Sequence, residues 1–183
     1  MESLYFTLYM LSYITILLFL ILSVIYISTL FFSAHYKVPF LGSKRHKIHA
    51  ILQEIDPQPG TVFYDLGSGD GRVVREAADG FQLNATGFEI NPMLVWLSKF
   101  QAKRAQSQAE FVRANILNIE LEKAEIIYVF LLTFMLEDLT QKFLSECAKG
   151  TIIISHGFKI PKLTSKLYKT IEDKPFPTYY YRL

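Results

Sequence analysis

The sequence predicts an α/β fold: a mostly parallel sheet with a C-terminal antiparallel strand pair, preceded by one apolar helix. Three observations carry this. Residues 3–32 contain no charge, no proline and no glycine. Downstream, short β-branched and aromatic runs alternate with stretches of helical periodicity, the pattern of a sheet covered on both faces. Near the end, runs at 166–174 and 177–183 follow each other with no helix between them, which makes an antiparallel pair at one edge.

The apolar segment comes first in the chain. Thirty residues at about 1.5 Å each give a helix of roughly 45 Å, against a hydrocarbon core of about 30 Å. Tyr5, Tyr9 and Tyr36 lie near its two ends, where aromatic rings favour the membrane interface. A cleaved signal peptide starts with basic residues and has a shorter apolar core, whereas here the start carries Glu2. A retained single-pass anchor over residues 1–36 is therefore expected. All 19 Lys and Arg lie at or after Lys37, and Lys37, Lys44, Arg45 and Lys47 closely follow the span. The positive-inside rule then places the rest of the chain on the cytoplasmic or an equivalent inner face. The mild positive balance of that part suits an anionic membrane surface and gives no argument for nucleic acid. Cys147 is the single cysteine, so neither a disulfide framework nor a thiolate metal site is expected. No His, Cys or Asp cluster suggests a metal.

Residues 37–60 read as a basic linker and leading helix. Within it, 43–55 has Ser43 as a cap and apolar positions at Ile48, Ile51, Leu52 and Ile55. Its basic front suits either lipid headgroups or plain solvent. "DPQPG" at 56–60 is a turn. Residues 61–183 form the main domain. "TVFYDL" is a strand, "GRVVREAADG" a helix closed by Gly80, and "NATGFEI" a second strand. "PMLVWLSKFQAKRA" is a helix with proline in its first turn, followed by the strand "AEFVRAN". "EIIYVFLL" is a buried strand, "FMLEDLTQKFLSECAKG" a helix ending in glycine, and "TIIISHGF" a further buried strand.

The stretch most tied to chemistry is "VFYDLGSGDGRVV", 62–74. In an open α/β sheet, ligands sit beyond the carboxyl ends of the strands, beside the first strand. Gly67, Gly69 and Gly71 allow a tight turn and close backbone approach. The dinucleotide fingerprint G-x-G-x-x-G fails because Arg72 stands where its third glycine belongs, and no P-loop string is present. Asp65 and Asp70 would repel a pyrophosphate and favour a cationic group. Glu89 ends the second strand, 24 residues after Asp65, where an acid accepts hydrogen bonds from ribose hydroxyls. A ribose at one end and a cationic, phosphate-free tail at the other describe S-adenosylmethionine.

"DLGSGDGR" followed by "GFEINP" resembles the first two motifs of class I S-adenosylmethionine-dependent methyltransferases, a Rossmann-like family. In detail the chain is similar to the membrane-anchored protein-lysine methyltransferases of the ATP synthase c subunit and the adenine nucleotide translocase. Those share an apolar anchor, a "VP" segment (here "VPFLG") and the two motifs; related bacterial proteins carry an "SH-x-F" string, here "SHGF". The resemblance implies that Asp65, Gly67, Ser68, Gly69 and Asp70 surround the methionine part of the cofactor and that Glu89 binds ribose. It places Asn115 at the adenine amino group, where many members have Asp, and Ile90 and Ile116 on the adenine faces. Apolar residues at strand ends are also ordinary core.

At the end of the fourth strand the [DN]-P-P-[YFW] string of adenine and amide methyltransferases is absent. Leu131, Leu132, Thr133 and Phe134 form an apolar rim instead, and desolvation there favours the neutral form of a lysine amine. Thr133 and His156 are the candidates for a catalytic contact, although a lone strand-end histidine is more often structural. Three readings stay open: a membrane-anchored enzyme that N-methylates lysine on a membrane-associated protein, a methyltransferase acting on a small or lipid substrate, and a non-catalytic cofactor-binding module.

Overall fold

A computed structural model describes residues 2–35 and 45–183, and the chain divides into two compact units. The first is one helix, α1 (Glu2–His35). Its stretch Leu4–Ser28 has a mean hydropathy of 2.5 and is long and apolar enough to cross a membrane. The hydroxyls of Ser12, Thr15, Ser23 and Ser28 donate to carbonyls one turn back, at 2.7–2.8 Å. Those side chains thus need no water, the condition that a hydrocarbon environment imposes. Tyr36, Lys37, Lys44, the expected cap Ser43, the 38–42 segment and the boundary expected at 36 lie outside the described residues.

The second unit contains α2 (Arg45–Gln53), β1 (Val62–Leu66), α3 (Arg72–Phe81), β2 (Asn84–Glu89), α4 (Pro92–Ala105) and β3 (Glu110–Arg113). It continues with β4 (Ile126–Val129), α5 (Thr133–Glu146), β5 (Ile152–His156), a 3-10 turn (Pro161–Lys166), β6 (Leu167–Ile171) and β7 (Thr178–Arg182). The seven strands run in the order β3-β2-β1-β4-β5-β7-β6. The first five pair in parallel, and β7 inserts antiparallel between β5 and β6. The expected antiparallel pair is present, with its last strand inside the sheet rather than at the rim. Strand order reverses beside β1, so the carboxyl ends of β1, β2 and β4 converge where the glycine loop begins.

Two details differ from the sequence expectation. The fourth strand stops at Val129, because Phe130 to Leu132 leave the sheet to lead into α5. The helix expected to close at Gly80 runs to Phe81, and Gln82 takes the left-handed closing position at φ 57°. Gly80 has another reason to lack a side chain: a Cβ there would lie 2.7 Å from Oε1 of buried Glu76. That carboxylate is held by His49 Nδ1 at 2.7 Å.

Alternation along the strands divides the core into two layers. On β4, Ile126 and Tyr128 face one layer with Phe63, Val74, Ala77, Phe111 and Tyr180. Ile127 and Val129 face the other with Leu66, Leu136, Leu139, Phe143 and Tyr181. The leading helix belongs to this unit. Ile48, Ile51 and Leu52 are buried in the first layer, and Tyr180 Oη donates to the Ile51 carbonyl at 3.2 Å. Lys47 pairs with Asp173 at 2.7 Å, and Lys169 pairs with Glu54. Leu52→Ala therefore opens a cavity in a fully buried site and should cost about 2–5 kcal/mol, a loss that would show as a lower melting midpoint followed by circular dichroism. An unchanged midpoint would mean that α2 lies on the domain without being part of its core.

Candidate active site

β1 delivers Asp65 and Leu66 to the top of the sheet, and the chain then turns through Gly67, Gly69 and Gly71 at φ 87°, 56° and 75°. Positive φ at three alternate residues is the conformation that glycine adopts without strain. Space imposes a second demand at two of them. A Cβ on Gly67 would lie 2.9 Å from Leu131, and one on Gly71 would lie 2.3 Å from the ring of Phe111. The loop is tied back to β2, since the Gly67 and Ser68 amides both donate to the Phe88 carbonyl, at 2.8 and 3.1 Å.

Glu89 completes the brace. Its Oε2 accepts from the Gly69 amide at 3.0 Å and its Oε1 from the Asn91 amide at 2.9 Å. Asn91 then caps α4 by accepting from the Met93 amide at 2.9 Å. From α4, Ser98 Oγ donates to the Gly69 carbonyl at 3.0 Å. The acid expected to hold ribose is therefore fixed by backbone donors, leaving lone pairs for two further hydroxyls.

Asp65 is its opposite. It is buried, and among the described residues nothing donates a hydrogen bond to it. Burial, then the neighbouring charges of Glu89 and Asp70, push its carboxyl well above the usual carboxylate range. A bound ammonium would relieve that cost. Asp70 is already satisfied: Arg72 grips it with Nη2 at 2.6 Å and Nε at 2.9 Å, and Arg75 donates to its carbonyl. Only Asp65 of the two loop acids offers an uncompensated charge. Ser68 Oγ is buried with no hydrogen-bond partner among the described residues, a polar atom poised at the same turn.

The remaining expected residues are spread around this centre. Ile90 follows Glu89 and is half-buried. Asn115, exposed just beyond β3, accepts the Leu117 amide on Oδ1 at 3.0 Å, and Ile116 is buried in the second core layer. The Ala114 amide donates to the Glu89 carbonyl at 3.1 Å, which brings this loop against the end of β2. At the end of β4, Leu131 is buried, Leu132 half-buried, and Thr133 and Phe134 exposed at the start of α5.

His156 lies at the end of β5, buried, with Nδ1 2.9 Å from Thr178 Oγ1 and its ring against Phe130 and Phe176. Burial, with a smaller contribution from Lys47, pushes its pKa down to about 4, so it is neutral near pH 7. Among the described residues no group of three His, Cys, Asp or Glu side chains can hold a metal ion.

Two contributors escaped the sequence reading. Gly87 in β2 sits beneath the loop, where a Cβ would lie 2.7 Å from Ser68 and 2.8 Å from Val74. Ser98, on the buried side of α4, holds the loop by its hydroxyl. A serine four residues before a buried alanine carries no local signal for that role.

A glycine turn, a carboxylate braced by backbone amides at the end of β2 and a second, buried carboxylate, at the carboxyl ends of a 3-2-1-4-5-7-6 sheet, fit S-adenosylmethionine. These features define an S-adenosylmethionine-dependent methyltransferase of class I. An RNA methyltransferase from Salinibacter ruber, solved with S-adenosyl-L-homocysteine, superposes with a TM-score of 0.73 at 26% identity, covering 78% of this chain and 93% of that one. The ANTKMT methyltransferase domain model matches residues 65–167, and the chain belongs to that family. A protein-lysine N-methyltransferase of Saccharolobus islandicus is 30% identical over 139 residues, 74% of this chain and 86% of that protein. The adenine nucleotide translocase lysine N-methyltransferase of Mus musculus is 32% identical over 127 residues, 68% of this chain. The chain spans about half the length of that relative, 55%.

Two predictions follow the geometry. Glu89→Ala removes the acid expected to accept from ribose and the brace on Gly69, so affinity should fall tenfold to a few hundredfold for both S-adenosylmethionine and adenosine, at roughly 1.5–3 kcal/mol per charge-assisted bond. Asp65→Asn should weaken the full cofactor much more than adenosine, and should raise the melting midpoint of the cofactor-free chain. Equal losses for both ligands in Asp65→Asn, measured by calorimetry, would contradict the placement of the amino-acid tail.

The response to acid provides a further test. A folded-state pKa of about 4 against 6.5 for the ordinary group means that the unfolded chain takes up the proton first as pH falls. The contribution of His156 is intact above about pH 6.5 and is lost between there and pH 4, by at most about 3 kcal/mol. His156→Phe should flatten that part of the stability–pH profile, and an unchanged slope would assign the acid sensitivity elsewhere.

Proposed function

We propose that this chain is a membrane-anchored methyltransferase that transfers a methyl group to the side-chain nitrogen of lysine on a membrane-associated protein. The observation that carries this is the apolar rim of Leu131, Leu132 and Phe134 where β4 ends beside the Gly67 turn. An amine attacks only in its neutral form, and apolar walls disfavour the ammonium. The Saccharolobus islandicus and Mus musculus relatives are both named lysine N-methyltransferases, which supports lysine as acceptor.

In this mechanism Asp65 takes the ammonium of the cofactor's amino-acid end, beside Gly67, Ser68, Gly69 and the Arg72-paired Asp70. Glu89 takes the ribose hydroxyls, Asn115 the adenine amino group, and Ile90 and Ile116 flank the ring. Bound there, S-adenosylmethionine supplies an electrophilic sulfonium methyl. The rim strips water from the entering amine, whose proton leaves to solvent before transfer. Thr133, exposed at the first position of α5, is placed to contact the substrate. His156 is held by Thr178 and kept neutral, and so acts by packing the floor of this region. α1 anchors the enzyme, with the domain on the basic-flanked, inner side of the bilayer, in reach of lysines close to the membrane.

Incubating membranes with methyl-labelled S-adenosylmethionine and the full chain should place label in protein, recovered as methyl-lysine by mass spectrometry. Label in lipid or in small molecules would overturn the lysine reading. Cofactor binding without any transfer would leave a non-catalytic binding module.

A further inference from the structure

α4 is apolar on two faces. Its inner face is conventional, with Val95, Ser98 and Ala102 buried against the sheet. A second apolar set, Met93, Trp96 and Phe100, follows the i, i+3, i+7 spacing of one helix face and points the opposite way. These three are 42%, 61% and 52% exposed. Trp96 and Phe100 stack on each other with ring centroids 5.6 Å apart and planes 11° apart. Two large aromatic rings held in solvent by a surface helix are a costly arrangement unless something covers them.

The charges on the same helix select what covers them. α4 contains Lys99, Lys103 and Arg104 and no acidic residue. At 100° per residue, Lys103 and Arg104 fall to either side of the aromatic pair, with Lys99 next to Lys103. None of the three forms an ion pair among the described residues. Outward aromatic residues flanked on their own helix only by cations, with Glu110 of β3 beside Lys99 and Lys103 as the one neighbouring acid among the residues lining that depression, match a bilayer surface with anionic headgroups: rings enter the headgroup–acyl boundary while basic side chains meet phosphate. A protein groove of mixed charge would leave three cations without a matching rim.

We infer that the outer face of α4 is a lipid-contact surface by which the folded domain lies on an anionic membrane. α4 begins at Pro92, directly after Glu89 and Asn91, so seating this face brings the cofactor end of the sheet close to the lipid surface. An acceptor amine near the headgroups is then within reach of the rim. The inference uses the anchored-enzyme reading only in that α1 delivers the chain to a bilayer. The surface chemistry of α4 stands on its own residues.

Trp96 is the only tryptophan in the sequence, which makes it a specific reporter. The full chain is reconstituted with phosphatidylcholine–phosphatidylglycerol vesicles that contain brominated acyl chains. Trp96 emission should shift to the blue and be quenched by the brominated lipid, and iodide should lose access to it. Each basic residue near an anionic surface contributes about fivefold to the docked population. The exposed triple variant Lys99→Gln, Lys103→Gln, Arg104→Gln should therefore return most of the emission to its aqueous position, as should vesicles of phosphatidylcholine alone. Emission that stays aqueous and open to iodide overturns the inference, as does a blue shift without lipid quenching, which would mean that a second copy of the chain covers the face. Alkaline carbonate extraction of the same vesicles reports insertion of α1 separately. If the chain is extracted, the anchor reading fails, and quenching in the vesicle-bound fraction before extraction still decides the α4 surface.

Discussion

The site depends on one carboxylate held at both oxygens. Glu89 receives the Gly69 amide on one side and the Asn91 amide on the other, so a single side chain at the end of β2 joins the glycine turn to the start of α4. Hydrogen bonds to a charged acceptor are about twice as strong as neutral ones, and both partners here are backbone groups that cannot rotate away. Neighbouring ties of the loop converge on the same place. The Gly67 and Ser68 amides bond the carbonyl of the preceding residue, Phe88. Ser98 holds the next carbonyl of the loop, and Asn91 sets the first turn of α4.

Asp65 shows the same chemistry arranged to the opposite end. Two carboxylates lie in one site, one held by two backbone amides with lone pairs to spare and the other buried without such donors. In the proposed binding mode the first recognises hydroxyls without moving. The second is relieved of its burial cost as the cation of the ligand enters, so recognition and relief occur together. Environment rather than residue type separates the two roles.

Much of this was legible in the sequence because it is local. Buried strands announce themselves as β-branched runs such as "TIIISH", and the glycine spacing of 67, 69 and 71 needs no neighbours to be read. Proline at the start of α4 and the acid at the end of β2 are likewise one-dimensional signals. What escaped is through-space. Gly80 looked like a helix stop and instead clears room for Glu76, which answers to His49 on another helix. The pairing of Asp70 with Arg72 removed one of two charges that looked equivalent. The insertion of β7 between β5 and β6 is a matter of pairing across the sheet, and strand composition does not encode that.

The placement of β7 has a further consequence at the sheet's borders. The two open edges are β3, four residues long with Glu110 and Arg113 at its ends, and β6, whose register slips between Leu167 and Lys169. The continuous tyrosine run of β7, the segment best suited to cross-pairing, is walled in on both sides. Short, charged or irregular borders are poor templates for a foreign strand. Among the described residues, molecules of this fold crowded side by side thus meet at short or irregular borders rather than at the tyrosine strand.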